Sequence, residues 1–123
     1  MEFDDLSRRV IGCAMEGHRA LGPGLLESTC SQCLAYELSL KGIAFKLQCP
    51  LPVEYKDIHL DCGYRADFFI ENALIMELKS VDRLESVHEA QVLTYMKFAH
   101  ASTGLLINFN VKRLTDGIKR FVL

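Results

Sequence analysis

Three charged residues sit in or beside apolar runs, where charge is expensive. In the stretch from Arg65 to Lys79, RADFFIENALIMELK, the residues Asp67, Glu77 and Lys79 flank Phe68-Phe69-Ile70 and Leu74-Ile75-Met76. Charged side chains are rarely buried without a partner, so their position calls for a use. Residues two apart on a strand point the same way, which puts Glu77 and Lys79 on one face. Two carboxylates and an amine on a rigid sheet can hold a hard cation and set up a nucleophile. Mg2+ takes an octahedral shell of oxygens and keeps several waters, so it needs few protein carboxylates. Asp67 and Glu77, with the backbone carbonyl of Leu78, supply such a half-shell. A metal-bound water is more acidic than a free one. Lys79 can orient it, help to deprotonate it, or stabilise charge on a phosphate oxygen.

The apolar runs on either side of Glu71-Asn72 predict a β-hairpin buried on both faces. Strand parity then constrains its turn. A tight two-residue turn pairs Ile70 with Ala73 and Asp67 with Met76, which leaves Glu77 on the opposite face from Asp67. A shared cation requires one residue more: a three-residue loop Glu71-Asn72-Ala73, or a β-bulge.

The remaining elements must position this hairpin. Leu6, Val10, Cys13, Ala14 and Leu21 recur at helical spacing over residues 5–21, with Asp4 or Asp5 as the N-cap, and Gly22-Pro23-Gly24 ends the helix. A second helix is expected over residues 26–41, carrying Cys30, Cys33, Leu34, Leu38 and Leu40, with Gly42 at its C′ position. Glu27 lies in its first turn. There it interacts favourably with the helix dipole, and the rigid loop beside it suits a carboxylate that must be held still. Residues 43–48, 51–55 and 58–62 alternate as strands. Pro50 and Pro52 suit an edge or a bulge, and Lys56-Asp57 forms a turn. A helix over residues 84–99 is expected to bury Val87, Ala90, Leu93, Met96 and Phe98. Its His88, Gln91 and Tyr95 share a second strip, either facing a polar cleft or satisfied within the structure. GLLINF at residues 104–109 reads as a buried strand parallel to an earlier one. A helical turn at 114–118 and an edge strand at 120–123 follow. The whole is one α/β domain over residues 1–123.

Composition narrows the classes. The chain has 123 residues, half of them hydrophobic and 24% charged, as expected of one soluble domain. The start MEFDDLSRR has no apolar signal region and no apolar run is long enough to span a bilayer, so a cytoplasmic location and no membrane partner are expected. The net charge of −2 does not advertise bulk attraction to nucleic acid, although a carboxylate metal site would itself lower the total. Lys112, Arg113, Lys119 and Arg120 gather near the end and read as a solvated surface. Five cysteines, an odd number, argue against a disulfide framework. The lone Cys30-x-x-Cys33 lacks the second knuckle of a zinc site, so buried, inert thiols are expected over a cysteine-based metal or redox centre.

Taken together, Gly24-Leu25-Leu26-Glu27, Arg65-Ala66-Asp67, Glu77-Leu78-Lys79 and the QxxxY of Gln91 and Tyr95 resemble the PD-(D/E)XK nuclease superfamily. Within it, the chain resembles the small prokaryotic GxxExxY proteins over nearly its whole length. The resemblance implies a restriction-endonuclease-like αβββαβ core, a mixed sheet flanked by helices behind an N-terminal helical hairpin. It also implies Mg2+ or Mn2+ and hydrolysis of phosphodiesters in nucleic acid, DNA ahead of RNA. By position, Asp67 and Glu77 are metal ligands, Glu27 is a ligand directly or through water, and Lys79 is the catalytic lysine. Gln91 and Tyr95, with His88 and Arg65, brace the site or touch the substrate. Ala66 replaces the proline of the superfamily name, which carries no chemistry. Cys30 stands where the GxxExxY name has tyrosine, so that hydroxyl is missing. The small size leaves target choice to a homodimer or a protein partner. A second reading keeps the fold without catalysis, as a module binding nucleic acid or a protein.

Overall fold

The architecture follows from a hairpin of two helices laid over one face of a sheet and a third helix on the other. The structure, a computed structural model, describes residues 4–123; the first three residues of the expected domain lie outside that range. Helix α1 (Asp5–Leu21) starts at Asp4, whose side chain accepts the Ser7 N–H at 2.6 Å, and ends at Gly22 with φ +75°. Helix α2 (Glu27–Leu40) begins one residue later than expected, so Glu27 is its first residue. Gly42, at φ +69°, follows the C-cap. The five-stranded sheet has the order β1-β4-β5-β6-β7, formed by Phe45–Pro50, Arg65–Ile70, Leu74–Lys79, Thr103–Asn108 and Ile118–Val122. Helix α3 (Ser86–Ala99) makes the crossover that lets β6 run parallel to β5; the other neighbours are antiparallel. The sheet is therefore mixed, as expected.

Two apolar clusters hold these layers together. On one face, Val10, Cys13 and Ala14 of α1 and Cys30, Leu34 and Leu38 of α2 pack against Phe68, Ile70, Met76, Leu78, Leu105 and Ile107. On the other, Val92, Tyr95 and Met96 of α3 pack against Ile75 and Leu106. The buried strip of α3 is the expected one in part: Met96 is buried and Leu93 and Phe98 pack against the same cluster, whereas Val87 is 67% exposed and Ala90 is exposed. Leu21 and Leu40, at helix ends beyond the sheet, are likewise exposed. The strands expected after Pro50 do form, but β2 (Val53–Tyr55) and β3 (Ile58–Leu60) make a separate two-stranded ribbon. Pro50 ends the edge strand β1, where its missing N–H costs no ladder bond.

The β4–β5 turn has the extra residue that parity required. Glu71 and Asn72 both take positive φ (+53° and +52°), as in a type I′ turn, and the Ala73 N–H donates to the Ile70 carbonyl at 2.9 Å. Yet the strands pair Ile70 with Leu74, Phe69 with Ile75 and Phe68 with Met76, so Ala73 is the additional residue. Continuing that register places Asp67 opposite Glu77.

The fit between α3 and β6 is tight at Gly104, where an added Cβ would lie 2.5 Å from Met96 Sδ and 2.9 Å from Val92 Cγ1. Gly104→Ala is expected to lower stability by about 1–3 kcal/mol, the usual cost of overpacking a filled core. Urea unfolding measures it, and an unchanged midpoint would contradict this packing.

Candidate active site

At Asp67 the sheet releases its backbone on both sides. The β4–β5 ladder stops at Phe68↔Met76. In place of further pairing, the Asp67 N–H donates to Glu77 Oε2 at 2.6 Å and the Leu78 N–H donates to Asp67 Oδ2 at 2.9 Å. Each carboxylate satisfies a backbone donor that strand pairing leaves free. The β1–β4 ladder skips the same residue. Leu47 pairs with Phe68 and Cys49 with Ala66, but Gln48, opposite Asp67, is unpaired and has φ +48°. Side-chain alternation reverses here. Phe45 and Phe68 pack on the α1–α2 side, whereas Cys49 and Ala66 pack on the α3 side, although Phe45 and Cys49 on β1, like Ala66 and Phe68 on β4, are an even number of positions apart.

The reversal turns Asp67 toward α2. It lines an open cleft of about 360 Å³ with Glu27, Ser28, Ser31 and Gln32 of α2, together with Gln48 and Leu78. Glu27 is exposed at the rim. The loop before it is tied down: the Gly24 N–H donates to Asn110 Oδ1 at 3.0 Å, and the Ser80 hydroxyl donates to the Leu25 carbonyl. Asn108, 2% exposed, holds the strand ends through Val81, accepting its N–H at 3.1 Å and donating to its carbonyl at 2.9 Å.

Glu77 is the most confined of the carboxylates, at 3% exposure. Burial, then the charge of Asp67, pushes its pKa up to about 8; the bond from the Asp67 N–H and the nearby Lys79 oppose that rise. Lys79, half-buried, is the last residue of β5. Among the described residues, neither carboxylate nor Lys79 has an ion-pair partner within 4.0 Å. A pair of adjacent oxygen donors that hold a proton for want of a counter-charge suits a hard dication. The fit is to a site completed by water: among the described residues, no three His, Cys, Asp or Glu side chains stand close enough to cage an ion.

The expected strip on α3 divides. Gln91 Nε2 donates to Tyr95 Oη at 3.1 Å, and Tyr95 is buried. Burial, then the charge of Glu77, raises the Tyr95 pKa, with Asp67 adding a smaller effect, so this pair lies behind the carboxylates. His88 does not join them, because its Nδ1 accepts the Glu85 N–H at 2.9 Å and closes a capping box at the start of α3. The His88, Gln91 and Tyr95 side chains are not among those lining the Asp67 cleft. Arg65 is exposed at the start of β4, paired with Pro50.

A family model described as the PD-(D/E)XK nuclease superfamily matches residues 4–121. The chain belongs to this superfamily. No curated protein and no solved structure matches it. The letters of the PD-(D/E)XK name fall on Asp67 and on Glu77-Leu78-Lys79, with Ala66 in the place of the proline. The superfamily generally uses divalent metals, and no helix in the described residues is long and apolar enough to cross a membrane. Sequence reasoning did not single out Gln48, which lines the cleft beside Asp67. Its signal, a polar residue two positions before Pro50 in an edge strand, is too common to single it out.

The raised Glu77 pKa has a measurable consequence for the metal-free protein. The unfolded chain ionises Glu77 near the ordinary 4.5, whereas the folded chain keeps its proton to about 8. The unfolded state therefore binds fewer protons across that window, and the Glu77 contribution to stability falls as pH rises through it, levelling above. Urea unfolding with EDTA from pH 5 to 9 is expected to show wild type losing stability relative to Glu77→Gln as pH rises. Parallel curves for the two proteins would mean that Glu77 is already ionised in the fold.

Proposed function

We propose that this protein is a divalent-metal-dependent phosphodiesterase that hydrolyses nucleic acid, with Mg2+ or Mn2+ as the ion. The observation that carries the reading is the bonding around the two acids: the Asp67 N–H donates to Glu77, the Leu78 N–H donates to Asp67, and among the described residues neither carboxylate has an ion-pair partner within 4.0 Å. Asp67 and Glu77 would hold the ion, Glu27 would reach it through water from the rim, and the backbone carbonyl of Leu78 is the further candidate ligand. The ion supplies acidified water and charge stabilisation. Lys79, beside Glu77 on the same strand, would orient the attacking water or stabilise the phosphate oxygens. The Gln91–Tyr95 pair would brace Glu77 from behind. His88 is left as a helix cap, and Arg65 as an exposed cation near the substrate path.

DNA is placed ahead of RNA, and the affinity with GxxExxY proteins is retained, on the sequence resemblance. Target choice by a second copy or a partner protein is proposed from the small size of the chain.

A cleavage panel with Mg2+ and with Mn2+, over single-stranded, duplex and branched DNA and RNA, tests the activity. Wild type is expected to cut at least one substrate. Lys79→Ala is expected to lose about 10²–10⁴-fold in rate, the range for a group that handles a proton or charge in the transition state. The same variant should still bind Mn2+ in calorimetry, whereas Asp67→Ala should not. Mn2+ binding without cleavage of any substrate would favour a catalytically silent member of the fold, and no Mn2+ binding by wild type would remove the metal site from the reading.

A further inference from the structure

Gln48 stands out as the place where the backbone bears strain without a turn to explain it. Of the other non-glycine residues with positive φ among those described, Lys56, Glu71 and Asn72 lie in tight turns and His100 caps a helix. Those are places where the left-handed conformation is what the geometry needs. Gln48, at φ +48°, lies inside a strand whose pairs on either side keep one register. An L-residue with a long side chain pays for that conformation, and such strain persists where the surroundings over-determine it, characteristically at functional sites.

Packing does not account for it. The Gln48 side chain is exposed and belongs to neither apolar cluster. Its backbone conformation instead coincides with the reversal of alternation that turns Asp67 toward α2. Its carboxamide lines the same cleft, with Nε2 at 3.5 Å from Asp67 Oδ1. The other oxygen of that carboxylate, Oδ2, is held by the Leu78 N–H. One donor on each oxygen fixes the plane of the group. A neutral amide does so without cancelling the charge that a dication requires, as a lysine or arginine at position 48 would.

We propose that Gln48 is a positioning residue of the metal site, its strained backbone and its carboxamide together presenting Asp67 to the cleft. The inference rests on the metal-dependent reading above.

The test is Mn2+ calorimetry and thermal melting of metal-free protein for wild type, Gln48→Gly and Gln48→Ala. Glycine adopts positive φ freely, so Gln48→Gly is expected to melt at or above the wild-type temperature. It is also expected to bind Mn2+ about tenfold more weakly, the low end of the cost of losing an outer-shell partner. Gln48→Ala should bind as weakly without the gain in melting temperature. Stability and metal affinity moving apart is an outcome that a purely structural role does not produce. Gly and Ala variants that bind Mn2+ as tightly as wild type would overturn the assignment while leaving the metal site standing. So would a Gly variant that melts well below wild type. If wild type itself binds no Mn2+, the metal reading falls and this inference with it.

Discussion

The site depends on a substitution of partners: where β4 and β5 part, carboxylate oxygens stand in for strand-to-strand hydrogen bonds. The Asp67 N–H goes to Glu77 and the Leu78 N–H goes to Asp67, so each acidic side chain is fixed by the backbone beside the other. Unpaired backbone donors at the edge of a core are costly, and meeting them with charged acceptors makes strong bonds. Burial first, and the charge of Asp67 second, raise the Glu77 pKa to about 8. The sheet thus sets two carboxylates side by side that, among the described residues, have no ion-pair partner within 4.0 Å. The one residue that makes this possible at a distance is Ala73. It sets the register that brings Asp67 opposite Glu77.

That dependence explains which parts of the molecule were legible in the sequence. Helix α1 was readable because its apolar spacing, its Asp4 cap and its glycine stop agree, and the crossover to β6 because a helix between two buried strands leaves few topologies. The extra turn residue was readable from parity alone, once Asp67 and Glu77 were required to meet. The buried strip of α3 was legible only in part: Leu93, Met96 and Phe98 do face the core, but Val87 is as apolar as Val92, and spacing alone does not say that Val92 is buried and Val87 exposed. His88 is ambiguous for a related reason: a histidine three residues after Glu85 can cap or can face a cleft, and spacing does not separate the two. Gln48 was invisible because its distinction is a backbone angle and a reversal of faces, neither of which leaves a compositional trace.

Cys30 shows how the same helix serves the core and the cleft at once. Glu27, three residues earlier, is exposed at the rim, whereas Cys30 is 3% exposed and packs with Cys13, Ala14 and Leu34 between α1 and α2. A cavity of only about 10 Å³ remains beside it, about the size of one water probe. Position 30 therefore faces the packing between the two helices rather than the carboxylates.

The distribution of charge bears on how a phosphodiester could approach. The basic residues near the end of the chain are largely committed: Arg113 to Asp116 at 3.4 Å, Lys119 to Glu89 at 2.6 Å and Arg120 to Asp4 at 3.0 Å. Arg113 and Lys119 hold their pairs at the surface, whereas the Arg120 side chain is only 17% exposed. Asp67 lines the cleft with Glu27 at its rim, whereas Glu77 and Lys79 are not among its lining residues. On the proposed reading, a phosphate thus meets an unfavourable local field until a dication occupies the carboxylates. Substrate binding is then coupled to metal binding by the sign of the charge. A chain with a net charge of −2 can act on a polyanion on those terms, because the attraction that matters is local to the ion.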